Sequence, residues 1–113
     1  MNLDLFAGIR VSDYEAARPW FERLFGSEPS FVAHETECVW ELAEHRYVYI
    51  NEESDSAGRS VVTIFVEDLD ATVAEIASRG IEPDDRVTYP DKARKAIYHD
   101  RDGNEISFGG PAE

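Results

Sequence analysis

Ile9-Arg10-Val11-Ser12-Asp13 returns 55 positions later as Ile64-Phe65-Val66-Glu67-Asp68. Behind each copy, a helix-like stretch stops at matching punctuation, Gly26-Ser27-Glu28-Pro29 in one half and Gly80-Ile81-Glu82-Pro83 in the other. A strand, a helix and a Gly-x-Glu-Pro stop, present twice within 113 residues, imply two copies of one supersecondary unit. Two such units set face to face leave a concave surface between them, which is where a functional site belongs.

Leu5 to Val11 alternates as a half-buried strand does, with Ala7, Ile9 and Val11 on one side and Phe6, Gly8 and Arg10 on the other. Ser12-Asp13-Tyr14-Glu15 matches a capping box, in which Ser12 caps the helix and Glu15 reaches back. The helix it opens gathers Tyr14, Ala17, Phe21, Leu24 and Phe25 on one stripe and ends at Gly26. Pro19 deletes a backbone bond inside it, which predicts a kink or a late start. Residues 30–34, 37–42 and 46–50 read as three short strands, and the polar stretch that follows reads as a linker.

The second half opens at Val61. Its helix starts from Asp68 as N-cap, buries Leu69, Val73, Ile76 and Ala77, and stops at Gly80. Residues 86–89, 95–99 and 105–109 supply the remaining strands, with Asp102-Gly103 closing the last hairpin. Each half thus reads β-α-β-β-β. The expected fold is α+β, one domain over residues 1–113, with module one at about 3–51, a linker at about 52–60 and module two at about 61–110.

Charge narrows the partners. With 24 acidic against 11 basic residues the formal net charge is −13, which repels phosphate backbones and anionic lipid and attracts a cationic small molecule. Nucleic acid and membrane are therefore not expected partners. The longest apolar run, Val61 to Val66, is too short to span a bilayer, and the N-terminus lacks the pattern of a signal peptide. A single cysteine, Cys38, excludes an internal disulfide and fits a cytoplasmic location.

Ile9-Arg10-Val11-Ser12-Asp13 with a helix behind it, together with His99-Asp100-Arg101-Asp102-Gly103-Asn104-Glu105-Ile106, resembles the vicinal oxygen chelate superfamily. Glyoxalase I, bleomycin resistance proteins and extradiol dioxygenases belong to it, and the resemblance covers about residues 3–110. It implies that the two modules form a curled, incomplete-barrel sheet with a cup. Enzymes of the family usually hold a divalent metal there, through a first-strand His seven residues before the Asp that opens the helix and a last-strand Glu four residues after the hairpin Gly. Those positions here are Phe6 and Val61, and Ser107 with its counterpart Tyr49. Phe, Val, Ser and Tyr are not a divalent-metal donor set, so neither a metal nor a cofactor is expected. Of the three histidines, His45 and His99 fall at or beside hairpin turns, and strand alternation places His99 on the face opposite Ser107.

Counting out from the hairpin turns sets Tyr98 opposite Ser107 on the inward face, and the same construction sets Trp40 opposite Tyr49. The first strands add Phe6, Gly8 and Arg10 from one half, and Val61, Thr63 and Phe65 from the other. Cys38 faces the same way on this count. The result is a greasy pocket with flat walls, one cation and a few hydroxyls, suited to an apolar or aromatic ligand. Aromatics alternating on strands serve as core as readily as cage. Arg10, on an otherwise apolar face, needs a partner: Glu41 or Glu105, a ligand carboxylate, or the rim of a dimer.

The expected function is therefore metal-free binding of a small ligand rather than catalysis. It resembles the bleomycin resistance branch, whose members are small, acidic and dimeric and sequester cationic drugs in aromatic grooves. Open sheet edges favour a homodimer. The alternatives are a metal-independent isomerase or cyclase using Arg10 with Tyr49 or Tyr98, and a metal-dependent lyase or dioxygenase.

Overall fold

In the computed structural model, which describes residues 1–111, the sequence repeat becomes two similar sheets, each with one helix on one face. The order is β1 (Leu5–Val11), α1 (Tyr14–Phe25), β2 (Phe31–His34), β3 (Glu37–Ala43), β4 (Arg46–Glu52), then β5 (Val61–Phe65), α2 (Leu69–Ser78), β6 (Asp85–Thr88), β7 (Arg94–His99) and β8 (Glu105–Gly110). The sheets run β1-β4-β3-β2 and β5-β8-β7-β6, with the first strand parallel to the last in each. This is the expected α+β arrangement of two βαβββ modules, and the barrel is not closed. β4 extends to Glu52, and a 3-10 turn occupies Ser54–Ser56 before β5.

Both helices are capped by an aspartate. Asp13 accepts from the Ala16 N–H at 3.2 Å and Asp68 from the Ala71 N–H at 3.0 Å. The expected capping box on Ser12 does not form. The Ser12 amide and hydroxyl instead donate to the Asp102 carboxylate on the far side of the fold, so the cap moves one residue on. Gly26 ends α1 in the left-handed region at φ 81, with its N–H bonded to the Glu22 carbonyl. α1 neither starts late nor breaks at Pro19, which sits exposed on the solvent side.

Between helices and sheets lies one continuous core. Ile9, Val11, Phe21, Leu24, Trp40 and Ile50 fill module one, and Leu69, Ile76, Tyr98, Ile106 and Phe108 fill module two. Phe21 and Phe25 lean on Trp40 with ring centroids 6.2 and 5.3 Å away, and the indole N–H donates to the Ser27 carbonyl at 3.0 Å. Such a buried polar atom needs that partner.

The modules are joined where β1 ends and β5 begins. Asn104, wholly buried, donates to the Arg10 carbonyl at 2.8 Å and to the Asp100 carboxylate at 2.8 Å, and accepts from the Ser60 N–H at 2.9 Å. Across the helices, Arg79 donates to the Arg23 and Leu24 carbonyls, satisfying the orphan acceptors at the end of α1.

Candidate functional site

Each sheet has a face covered by its helix and a face turned away from it, here called the open face. Strand register assigns side chains to the two, because directly paired residues share a face. In module one, Phe6 pairs with Tyr47, Gly8 with Tyr49 and Arg10 with Asn51, all on the open face, while Ile9 and Val11 point into the core. In module two, Val61 pairs with Glu105, Thr63 with Ser107 and Phe65 with Gly109 on the open face. Eight of the ten sequence-derived positions are thereby on open faces: Phe6, Gly8, Arg10 and Tyr49 on one, Val61, Thr63, Phe65 and Ser107 on the other.

Trp40 and Tyr98 are not among them. Trp40 pairs with Val48 and Tyr98 with Ile106, one position off the sequence pairing, so both rings turn to the helix side, at 1% and 0% exposure. The neighbours opposite Tyr49 and Ser107 are Val39 and Ile97. The same one-residue slip brings His99 onto the open face with Ser107, opposite Glu105, and turns Cys38 into the core. Burial raises the Cys38 thiol above its usual range, against a lowering hydrogen bond from Tyr14, so it is no thiolate nucleophile. Burial likewise raises Tyr98, whose hydroxyl has no hydrogen-bond partner among the described residues.

The open face of module one is an aromatic platform. Phe6 and Tyr47 stack with centroids 4.3 Å apart and planes 7° from parallel. Tyr49 lies across Gly8 so closely that a Cβ there would sit 2.6 Å from its ring. Tyr47 was absent from the sequence-derived set, although its spacing of two from Tyr49 on one strand already places both on one face. In module two the aromatic comes from the first strand instead, Phe65 lying over Gly109, where an added Cβ would be 3.2 Å from the ring. Phe6 is 49% exposed, and Val61 and Phe65 are each 68% exposed.

β1 and β5 meet at Arg10 and Ser60, where the Arg10 N–H donates to the Ser60 hydroxyl at 3.3 Å. Towards their other ends they part around a groove of about 360 Å³ lined by Leu5, Ala7, Tyr47, Thr63 and Phe65 among others. Of the platform it reaches Tyr47 alone; Phe6, Gly8, Arg10 and Tyr49 do not line it, and Leu5, Ala7, Val62 and Ile64 line it from the other face of the strands. Arg10 itself pairs with neither Glu41 nor Glu105; its Nη1 donates to the Ser56 hydroxyl at 2.9 Å. Glu105 takes Lys95 at 3.7 Å and the Ser107 hydroxyl at 3.4 Å, and His99 takes Asp84 at 3.2 Å.

The family's metal fits poorly here. Phe6, Tyr49, Val61 and Ser107 stand where imidazole and carboxylate donors are required, and among the described residues no three His, Cys, Asp or Glu side chains are grouped to hold an ion.

No curated protein matches the chain. Among solved structures, the bleomycin resistance determinant encoded on the transposon Tn5 superimposes with a TM-score of 0.79 at 13% identity, over 97% of this chain and 98% of that one. TnmS3, an antibiotic binding protein from Streptomyces sp. CB03234, does so with 0.73 at 21% identity, over 99% and 98%. Both show likeness of fold alone. A glyoxalase / bleomycin resistance protein from Catenulispora acidiphila DSM 44928 is far nearer, at 47% identity and a TM-score of 0.92 over 96% of this chain and 98% of that one. The sequence pattern of the Glyoxalase/Bleomycin resistance protein/Dioxygenase superfamily matches residues 3–108, and the chain belongs to that superfamily.

Proposed function

We propose that this protein binds a small apolar or aromatic molecule by stacking and shape, without a metal ion, and that it does so as a homodimer in the cytoplasm. The observation that carries the reading is the platform: two rings stacked at 4.3 Å and a third laid over a glycine, on a sheet face that no helix covers. Phe6 and Tyr47 each give one flat surface to the other, and a ring on which the ligand stacks adds on the order of 1 kcal/mol beyond the area it buries. A fold neighbour that is an antibiotic binding protein, TnmS3, supports a small-molecule ligand.

The metal-free part rests on the donor chemistry of Phe6, Tyr49, Val61 and Ser107. A dimer is supported by the exposed apolar side chains, for Phe6, Phe31, Val32, Val61 and Phe65 are all 46% or more exposed. Four of the five, Phe6, Phe31, Val61 and Phe65, lie on open faces, and apolar side chains gathered on such a face mark an interaction site. Among the described residues no helix is long and apolar enough to cross a membrane. The isomerase or cyclase reading loses one of its two hydroxyls, because Tyr98 is sealed in the core.

Sedimentation equilibrium and a ligand panel followed by NMR test the proposal. The expected results are a particle of twice the chain mass and shifts confined to Phe6, Tyr47, Tyr49 and Phe65. Fluorescence of Trp40 is the wrong reporter, since its ring is in the core. A monomer with no shifted resonance across a broad panel of flat compounds would refute the reading.

A further inference from the structure

Arg10 is the only arginine on the open face of module one, and no lysine lies there among the described residues. Ile9 and Val11, wholly buried on either side of it in sequence, fix which way it points. On the sheet it stands diagonal to Tyr49, because Gly8 pairs with Tyr49 and Arg10 with Asn51. Its immediate neighbours, Gly8, Asn51, Ser56 and Ser60, carry no charge.

Among the described residues no carboxylate pairs with this guanidinium. Glu41, on the same face, stands across from Tyr47 at the far end of β1 from Arg10, and two further acidic residues are engaged elsewhere. Glu37, on the same face across Asn51, lies 3.5 Å from His34, and Glu105 of the second module takes Lys95 at 3.7 Å. A guanidinium offers five N–H donors in a planar fork. Ser56 takes one and steadies the side chain, leaving most of the fork for another acceptor.

We infer that the ligand is an aromatic carboxylate, its ring on Tyr49 and the Phe6–Tyr47 stack and its carboxylate forked onto Arg10. This rests on the binding reading above and adds to it the sign of the ligand's charge, which is opposite to the one the net −13 suggests. The net charge is spread over the surface and is screened beyond about 8 Å at physiological salt, whereas a bidentate guanidinium–carboxylate contact acts at bonding distance. Spacing sets the size. Diagonal neighbours on a sheet are about 7–8 Å apart, which a ring joined to a carboxylate by a short link spans.

The test uses calorimetric titration of the full chain with 1-naphthylacetate, its methyl ester and 1-naphthylmethylamine. The acid should bind at least about tenfold more tightly than the ester, as a charge-assisted bond requires. That preference should vanish in Arg10→Met and return in part in Arg10→Lys. Equal binding of acid and ester overturns the inference and leaves the aromatic-binding reading standing, as does tightest binding of the amine. Binding of none of the three overturns both. The comparison of acid with ester on the unmodified protein decides the matter even if a variant folds poorly.

Discussion

Asn104→Ala removes the side chain that pins the last hairpin to the junction of the two modules. Three bonds are lost together: to the Arg10 carbonyl at 2.8 Å, to the Asp100 carboxylate at 2.8 Å and from the Ser60 N–H at 2.9 Å. Their fates differ. The Arg10 carbonyl keeps a longer bond from the Gly58 N–H at 3.4 Å, and Asp100 keeps the N–H groups of Asp102 and Asn104. The Ser60 N–H keeps no partner from Asn104. A buried group left unsatisfied costs about 1–3 kcal/mol, and a lost bond to a charged group about 1.5–3 kcal/mol. Water entering the vacated space offsets some of this, so about 3–4 kcal/mol is expected, a large share of the roughly 5–15 kcal/mol that a domain has. With a urea slope of about 1–3 kcal/mol per molar, the midpoint should fall by at least about 1 M.

Circular dichroism through a urea titration reads that shift directly. A fall of less than about 0.3 M would mean that the junction is held by packing and not by Asn104. Asn104→Asp sharpens the test. It keeps the shape but loses the amide donors and sets a second carboxylate against Asp100 at 2.8 Å. Its deficit relative to the unmodified protein should therefore shrink as pH falls and the new carboxyl gains a proton to donate.

Other substitutions and titrations probe separate parts of the same account. Gly58→Ala should cost about 2–4 kcal/mol in the same urea assay, because φ is 87 and a Cβ would lie 2.2 Å from the Asp102 carbonyl oxygen; a cost near zero would refute the tight approach. Gly8→Ala should leave stability within about 1 kcal/mol yet push the Tyr49 ring off the sheet, and unchanged Tyr49 ring resonances would count against the geometry. Burial raises Asp100 above 3.8, outweighing its hydrogen bonds from Asn104 and Asp102. A raised folded value means that the native state binds this proton more tightly than the unfolded chain does. Its stabilising contribution is therefore complete below 3.8 and lost as pH rises through the folded value; a carbon-13 titration should place Asp100 above the exposed aspartates. Cys38, at 0% exposure with a raised thiol, should react with a disulfide reagent only as fast as the protein opens, and fully in denaturant.

Local pattern carried most of the fold and part of the site. The alternation in β1 put Phe6, Gly8 and Arg10 on one face, and the helix stripe and Gly26 ended α1 where the structure ends it. Cross-strand register was harder. Counting back from a turn assumes an even ladder, but β3 and β4 shift register between Glu41 and Ala43, and Asp100 to Asn104 form a five-residue loop closed by the Asp100 N–H to Asn104 carbonyl bond. A slip of one residue turns every side chain over, which moved Trp40 and Tyr98 from the open face to the core. The composition of β8 held the missing constraint. Its large apolar residues, Ile106 and Phe108, alternate with Glu105, Ser107 and Gly109, so the core face is the former and Tyr98 must join it. No local signal gives the bond from Ser12 to Asp102, which is made 90 residues away.

The two modules repeat a backbone but not a surface, and the difference has a consequence for recognition. In module one the glycine is on the first strand, Gly8, and the ring above it on the last, Tyr49; in module two the ring is on the first, Phe65, and the glycine on the last, Gly109. Module one adds a guanidinium, while Lys95 on the open face of module two is drawn to Glu105. Two identical faces would hold a flat molecule equally well in either of two orientations related by the pseudo-symmetry. With the rings on opposite strands and the free cation on one side only, one orientation gains a charged contact that the other lacks. A difference of about 1.4 kcal/mol between them already gives a tenfold preference. Divergence between the halves therefore turns a symmetric hollow into one that can fix which end of its ligand lies where.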